Sequence, residues 1–262
     1  MRRSPLLLVL ALISSAGLAC PAGATVLAGF ESGLGSVTTV GNAYVVDDGF
    51  GGGTPEGLFA LFLSTFPNGD GLLGPLSGSV IDQTLPPAVA DTTVESFLGL
   101  APGALDAITP GNGNPTVEGS AAQLTFTTTG VRDLHLEFIL FSNETDFWAP
   151  NYTDFFFTTL TGEGPVARGS VIDPLFASPG TVFDRDTGWL QVDWLGLAPG
   201  TYTLGFGIMD VFDSDLGSAV LVDDIALIPE PRAAALLLVG LGGIWVVGRP
   251  RRRLAAQAVH AD

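Results

Sequence analysis

The chain of 262 residues carries 27 acidic side chains against ten basic ones, all of them arginine, for a formal net charge of −17. A field of that sign repels nucleic acid and anionic lipid and draws divalent cations or basic surfaces. One cysteine and two histidines exclude a disulfide framework and a histidine-based zinc centre.

At the start, Arg2 and Arg3 precede an apolar stretch from Leu6 to Ile13 and the small residues Ala22-Gly23-Ala24. This is the layout of a secretory signal peptide, predicted over residues 1–24, with an apolar part too short to span a bilayer permanently. Its removal takes Cys20 with it. Residues 25–228 then form one exported domain, long enough for a single sizeable core. Its only cations are Arg132, Arg168 and Arg185, against 25 acids.

Residues 121–129, 133–141, 154–160, 188–195, 200–209 and 218–228 read as strands. In "DLHLEFILF" (133–141), for example, Leu134, Leu136, Phe138 and Leu140 share one face while His135, Glu137, Ile139 and Phe141 share the other. Turns such as "PGNGNP" (110–115), "TGEGP" (161–165) and "APG" (198–200) separate them. Many short strands with polar turns predict an all-β protein, an antiparallel two-layer sandwich of jelly-roll-like type. One stretch differs. In "DTTVESFLGL" (91–100) Thr92 and Glu95 have capping-box spacing and Val94, Phe97 and Leu98 recur at helical intervals, which predicts a short helix across one end of the sandwich. The string "LGLAPG" occurs at 98–103 and 195–200; without a longer period it reads as one turn solution used twice.

Pro229, Glu230 and Pro231 come next, then fifteen uncharged residues from Ala233 to Val247, then Arg249, Arg251, Arg252 and Arg253. Fifteen residues make about 22 Å of helix, a marginal span, whose arginines hold its end on the cytoplasmic side. The two prolines keep the preceding peptide extended. The order of these three parts resembles the PEP-CTERM sorting signal of Gram-negative bacteria, over residues 229–253, with 254–262 left as a short cytoplasmic tail. The resemblance implies processing by an exosortase, a transient stay in the inner membrane, and delivery to the cell surface or extracellular matrix. Segments 97–108, 117–130 and 136–160 resemble the exported β-domains that commonly precede such tails. That second resemblance supports architecture and address and transfers no catalytic residue.

Catalytic chemistry is not legible. The mature segment has no cysteine and one histidine, His135, which beside Glu137 in an alternating strand reads as structural. "GFGGGTPEG" (49–57) has glycines but no phosphate-binding lysine, and reads as a flexible loop. Carboxylates suit calcium, a hard cation that takes six to eight oxygens. "GFESG" (29–33) and "VDDI" (222–225) resemble the Phe-Glu and Asp-Asp segments that meet at a structural calcium in jelly-roll carbohydrate-binding modules, which implies a site at Glu31, Asp223 and Asp224. Asp213 and Asp215 in "DVFDSDLGS" (210–218) have the spacing of half a calcium loop. Trp148 and Tyr152, in an irregular stretch, are candidates for stacking on sugars, while Trp189 and Trp194 fall on opposite faces of one strand. The sequence therefore predicts a non-enzymatic exported protein with a structural or adhesive role. The resemblance implies a calcium ion, against the plainer account that these aspartates cap turns and solvate an edge. A carbohydrate-binding module for exopolysaccharide is the alternative, and a glycoside hydrolase with an unidentified carboxylate pair is the second.

Overall fold

The structure, a computed structural model, describes residues 24–229 apart from 51–52, 67–79, 85–86, 145–150, 172, 174, 178–180, 182 and 213–216. The signal-peptide segment and the tail from Glu230 onward lie outside the described residues, as do Trp148, Asp213 and Asp215. Among the described residues no helix is long and apolar enough to cross a membrane.

Two antiparallel sheets face each other. In one, the strands run side by side as β11 (Phe176–Ala177), β12 (Arg185–Asp186), β8 (Arg132–Ser142), β15 (Ser218–Pro229), β4 (Phe59–Ser64), β3 (Asn42–Asp47) and β5 (Val80–Thr84). β13 (Leu190–Leu197) also pairs with β8, and β1 (Thr25–Ala28) with β15. The other sheet runs β10 (Val166–Ser170), β9 (Phe155–Leu160), β14 (Gly200–Val211), β7 (Thr116–Thr128) and β2 (Thr38–Val40), with β6 (Val89–Ala90) on β7. The chain changes sheet from β7 to β8, again from β8 to β9, and from β14 to β15. This is the all-β sandwich that the alternating patterns predict.

Alternation decides what lies between the sheets. Leu134, Leu136, Phe138 and Leu140 of β8 meet Leu124, Phe156, Phe206 and Ile208 of the opposite sheet in the main core. Phe138 and Phe156 touch across the gap with ring centroids 4.3 Å apart. Each sheet also has a covered outer face. Ile139, Phe141, Ala219 and Leu221 join Tyr44, Val46, Phe50, Phe62 and Phe183 in a second cluster. On the far sheet Ala121, Phe155, Phe157 and Met209 lie under the helix α1 (Asp91–Leu98), with Val94 and Leu105.

The helix therefore covers a sheet face rather than one end of the sandwich. Its capping also differs from the sequence reading. The N-cap is Ala90, with no side-chain cap. Glu95 is buried and reaches forward instead, accepting hydrogen bonds from the backbone N–H groups of Gly103 and Leu105, both at 2.9 Å. Burying a carboxylate is tolerable only with such donors, and here they tie the turn after the helix back to the helix itself. The repeated "LGLAPG" string is not one solution used twice. Gly99 and Gly196 are both left-handed, with φ of 70° and 69°, but Gly99 caps the helix whereas Gly196 lies at an irregularity within β13. Gly103 is left-handed too, while Gly200 opens β14.

A candidate metal centre at the bulge of the last strand

The last strand changes character at Asp223. Val220 and Val222 point into the main core, and Ala219 and Leu221 into the outer cluster. Pairing with β8 runs Asp223 to Glu137, then Ala226 to His135, so β15 has one residue more than its partner between these points. Asp224, in the left-handed region at φ 45°, is the extra residue of this bulge. Ile225 returns to the main core. Two consecutive aspartates are thereby placed on the same outer face, where a regular strand would send them to opposite sides.

A loop covers that face. β3 and β4 form a hairpin whose connection includes Glu56, and two of its glycines, Gly53 and Gly57, hold a left-handed conformation. Gly57 has φ of 65°, and a Cβ there would collide with the Glu31 carboxylate. Glu31 Oε1 accepts hydrogen bonds from the N–H groups of Leu58 at 2.7 Å and Phe59 at 3.1 Å. Asp223 Oδ2 accepts one from the Glu56 N–H at 3.1 Å. A Cβ on Gly29 would stand 2.9 Å from Glu56 Oε2. Glu31 and Asp223 thus tie the first strand region and the last strand to the same hairpin loop, with Glu56 and Asp224 near enough for their charges to act on this region.

Their electrostatics are unbalanced. Asp223 is wholly buried, and its Oδ1, like Glu56 Oε2, has no hydrogen-bond partner. Burial, with smaller repulsion from Glu56 and Asp224, pushes the Asp223 carboxyl up to about 7 despite the two backbone donors that oppose the shift. Burial and then the charges of Asp224 and Glu31 push Glu56 upward too. None of the three described arginines forms an ion pair with any of the four. Two unpartnered carboxylate oxygens among like charges fit a hard divalent cation. At this corner Glu31 and Asp223 are both hydrogen-bonded to the hairpin loop, but among the described residues Glu31, Asp223 and Asp224 do not bring their ligand oxygens within 4.8 Å of one another. Glu56, which the sequence reading passed over as part of a flexible loop, feels the charges of both Asp224 and Glu31.

Beside this corner lies a second group. His135, opposite Asp193 of β13 and on the same face as Glu137, places Nδ1 2.6 Å from Asp193 Oδ1. Its Nε2 lies 3.5 Å from Glu137 Oε1 and 3.8 Å from Asp224 Oδ2. Burial lowers the imidazole pKa, but the Asp193 hydrogen bond and the charges of Asp193, Asp224 and Glu137 together carry it upward.

The aromatic candidates divide. Trp194 belongs to the main core with the Arg168 guanidinium 5.2 Å from its ring, and Trp189 packs on the outer cluster. Tyr152 is half-buried and meets Phe212 edge-on at 5.2 Å. Phe212 is 52% exposed and left-handed, with φ of 84°. Asn112 and Asn114 donate side-chain hydrogen bonds to Asn151 beside this pair, at 2.9 and 2.7 Å. Sequence periodicity marks neither Phe212 nor these amides, because all of them lie in turns.

No protein-family model and no curated protein matches the chain. Among solved structures it is similar to TmCBM61 in complex with β-1,4-galactotriose, at 8% identity and a TM-score of 0.31, over 80% of this chain and 90% of that one. It is also similar to TmCBM27, a carbohydrate-binding module described for mannan recognition, at 11% and 0.33, over 79% and 95%. A third is the K3 cleaved adhesin domain of Lys-gingipain from Porphyromonas gingivalis w83, at 12% and 0.30, over 78% and 98%. The overlap is too loose for any function to pass from them to this chain.

Proposed function

We propose that this chain is a non-catalytic exported β-sandwich, closed by a calcium ion and serving a structural or adhesive role at the cell surface or in the extracellular matrix. The observation that carries the calcium part is the buried Asp223 carboxylate, whose Oδ1 has no partner and which lies near the charges of Glu56 and Asp224 without a compensating cation. Calcium supplies the missing charge, accepts irregular oxygen geometry, and cross-links the first strand region to the last. The address rests on the sequence: the Pro229-Glu230-Pro231 triplet, the apolar run and the arginine cluster support exosortase processing from an inner-membrane intermediate.

Melting of the purified full chain with calcium, magnesium or chelator at matched ionic strength tests the site. Calcium at a hundred times its dissociation constant adds about 2.7 kcal/mol of stability, and magnesium substitutes poorly because it demands a tighter octahedral shell. Equal responses to both ions, unchanged by joint Asp223→Asn and Asp224→Asn, would leave only general screening.

A second reading, recognition of exopolysaccharide, is favoured by the exposed and backbone-strained Phe212 against Tyr152, rimmed by the amides of Asn112, Asn114 and Asn151. Aromatic faces with adjacent amides are the chemistry of sugar contact. Retention on immobilised polysaccharide from the producing cells, lost on Phe212→Ala and Tyr152→Ala, supports that reading; unchanged retention removes it.

A further inference from the structure

We infer that His135, Glu137 and Asp224 form a second cation site, specific for a borderline transition ion of the zinc class, with Asp193 as the residue that orients the histidine. Among the described residues these three are the one group of histidine and carboxylate side chains whose ligand atoms lie within 4.8 Å of one another. The spacing matches the ion. A tetrahedral zinc with bonds of about 2.0–2.1 Å sets its ligand atoms roughly 3.3 Å apart. His135 Nε2 already lies 3.5 Å from Glu137 Oε1 and 3.8 Å from Asp224 Oδ2, so small side-chain rotations complete three bonds.

Orientation is also in place. With Nδ1 donating to Asp193 Oδ1 at 2.6 Å, the neutral ring presents its Nε2 lone pair to the two carboxylates. A carboxylate behind a metal-binding histidine fixes its tautomer in this way. Glu137 and Asp224 retain 26% and 31% side-chain exposure, which leaves the fourth position open to water. A lone histidine argues against a multi-histidine zinc centre, but the bulge supplies what the count omits. By holding Asp224 on the outer face it turns a His-x-Glu strand pair into three converging ligands. Imidazole selects this site for zinc, cobalt or nickel over calcium, whereas the all-oxygen corner next to it does the reverse. The inference does not rest on the calcium reading, since His135, Glu137 and Asp193 take no part in that corner and Asp224 alone borders both.

The competing account is an imidazolium held by three carboxylates with no metal, and zinc titration of the purified full chain separates the two. His260→Ala serves as the background, so that His135 is the only imidazole. One zinc ion should bind per chain, and cobalt in its place should show the visible absorption of a four-coordinate ion. His135→Ala should abolish binding, and Asp193→Asn should weaken it by about 10- to 100-fold, while the calcium response of melting stays as in the parent. Imidazole nitrogen resonances give a variant-free check: zinc should move His135 Nε2 and leave Nδ1 as the Asp193 donor. Absence of saturable zinc binding to the folded chain, binding that survives His135→Ala, or a zinc shift at Nδ1 would each overturn the site.

Discussion

Between Ser218 and Val222, β15 alternates between two apolar clusters, and every residue of that stretch is buried. Asp223 is just as deeply buried, yet its surroundings are carboxylates and a one-residue bulge. The first stretch gains stability from burial alone, at about 25 cal/mol for each Å² of apolar surface removed from water. The second loses stability through burial, because a carboxylate leaves water without full replacement of its partners. A strand that continues regularly closes a core, and one that breaks register at two acids gathers negative charge on one face. The same element thus carries both part of the main core and a buried carboxylate with an unpartnered oxygen.

The largest effect expected from breaking this contrast is on the apolar side. Phe138 is buried and faces Phe156 across the sheets at 4.3 Å. Phe138→Ala should cost about 3–5 kcal/mol, read from denaturant unfolding, and calcium should not restore it. Recovery of that stability by calcium would mean that the two regions of the strand are not separable.

The acidic side should respond to pH, with a definite sign. In the cation-free protein Asp223 titrates near 7 in the fold and near 3.9 in the unfolded chain. Between those values the native state holds its proton longer. Stability from this group is therefore complete below about pH 4 and is lost as pH rises to 7, by on the order of a few kcal/mol. His135, also shifted upward, acts in the same direction at higher pH. Melting midpoints in chelator should fall across this window, and Asp223→Asn should flatten the fall. In saturating calcium the same substitution should destabilise, since it removes a ligand charge. A profile indifferent to Asp223→Asn would assign the pH dependence to other groups.

How far this contrast could be read in advance depended on alternation. β8, β9, β14 and β15 have one polar or differently packed residue every second position, and their spans follow from the sequence within a few residues, whereas β7 begins at Thr116, five residues before the stretch read as a strand. Asn42–Asp47 and Phe59–Ser64 escaped because they are buried on both faces, between the main core and the outer aromatic cluster, and so show no period of two. Glu31, Asp223 and Asp224 came into view only through the resemblance of their segments to those of jelly-roll modules, since neither spacing nor periodicity marks an acid near the first strand or a pair in the last. Glu56 did not, since its role depends on the hairpin formed by those two unread strands. The one available signal was a single acid among glycines between two apolar runs. The helix was found but misplaced: its sequence shows a periodic apolar face and nothing about which surface that face covers.

The smallest expected effect isolates how Glu31 is seated. Gly53 and Gly57 share a hairpin loop and a φ of 65°, but a Cβ at Gly53 meets nothing within 4 Å, whereas one at Gly57 meets the Glu31 carboxylate. Alanine at either position carries the backbone strain of a left-handed residue, about 1–2 kcal/mol, read as a lower midpoint in chelator. Only Gly57→Ala also displaces Glu31 from the Leu58 and Phe59 N–H groups that hold it. Gly53→Ala should therefore lower stability and keep the full calcium increment, while Gly57→Ala should lose part of that increment as well. The comparison cancels the strain and leaves the contribution of the carboxylate. If the two variants respond to calcium equally, Glu31 serves only to pin the loop, and the cation is held by Glu56 and the aspartate pair without it.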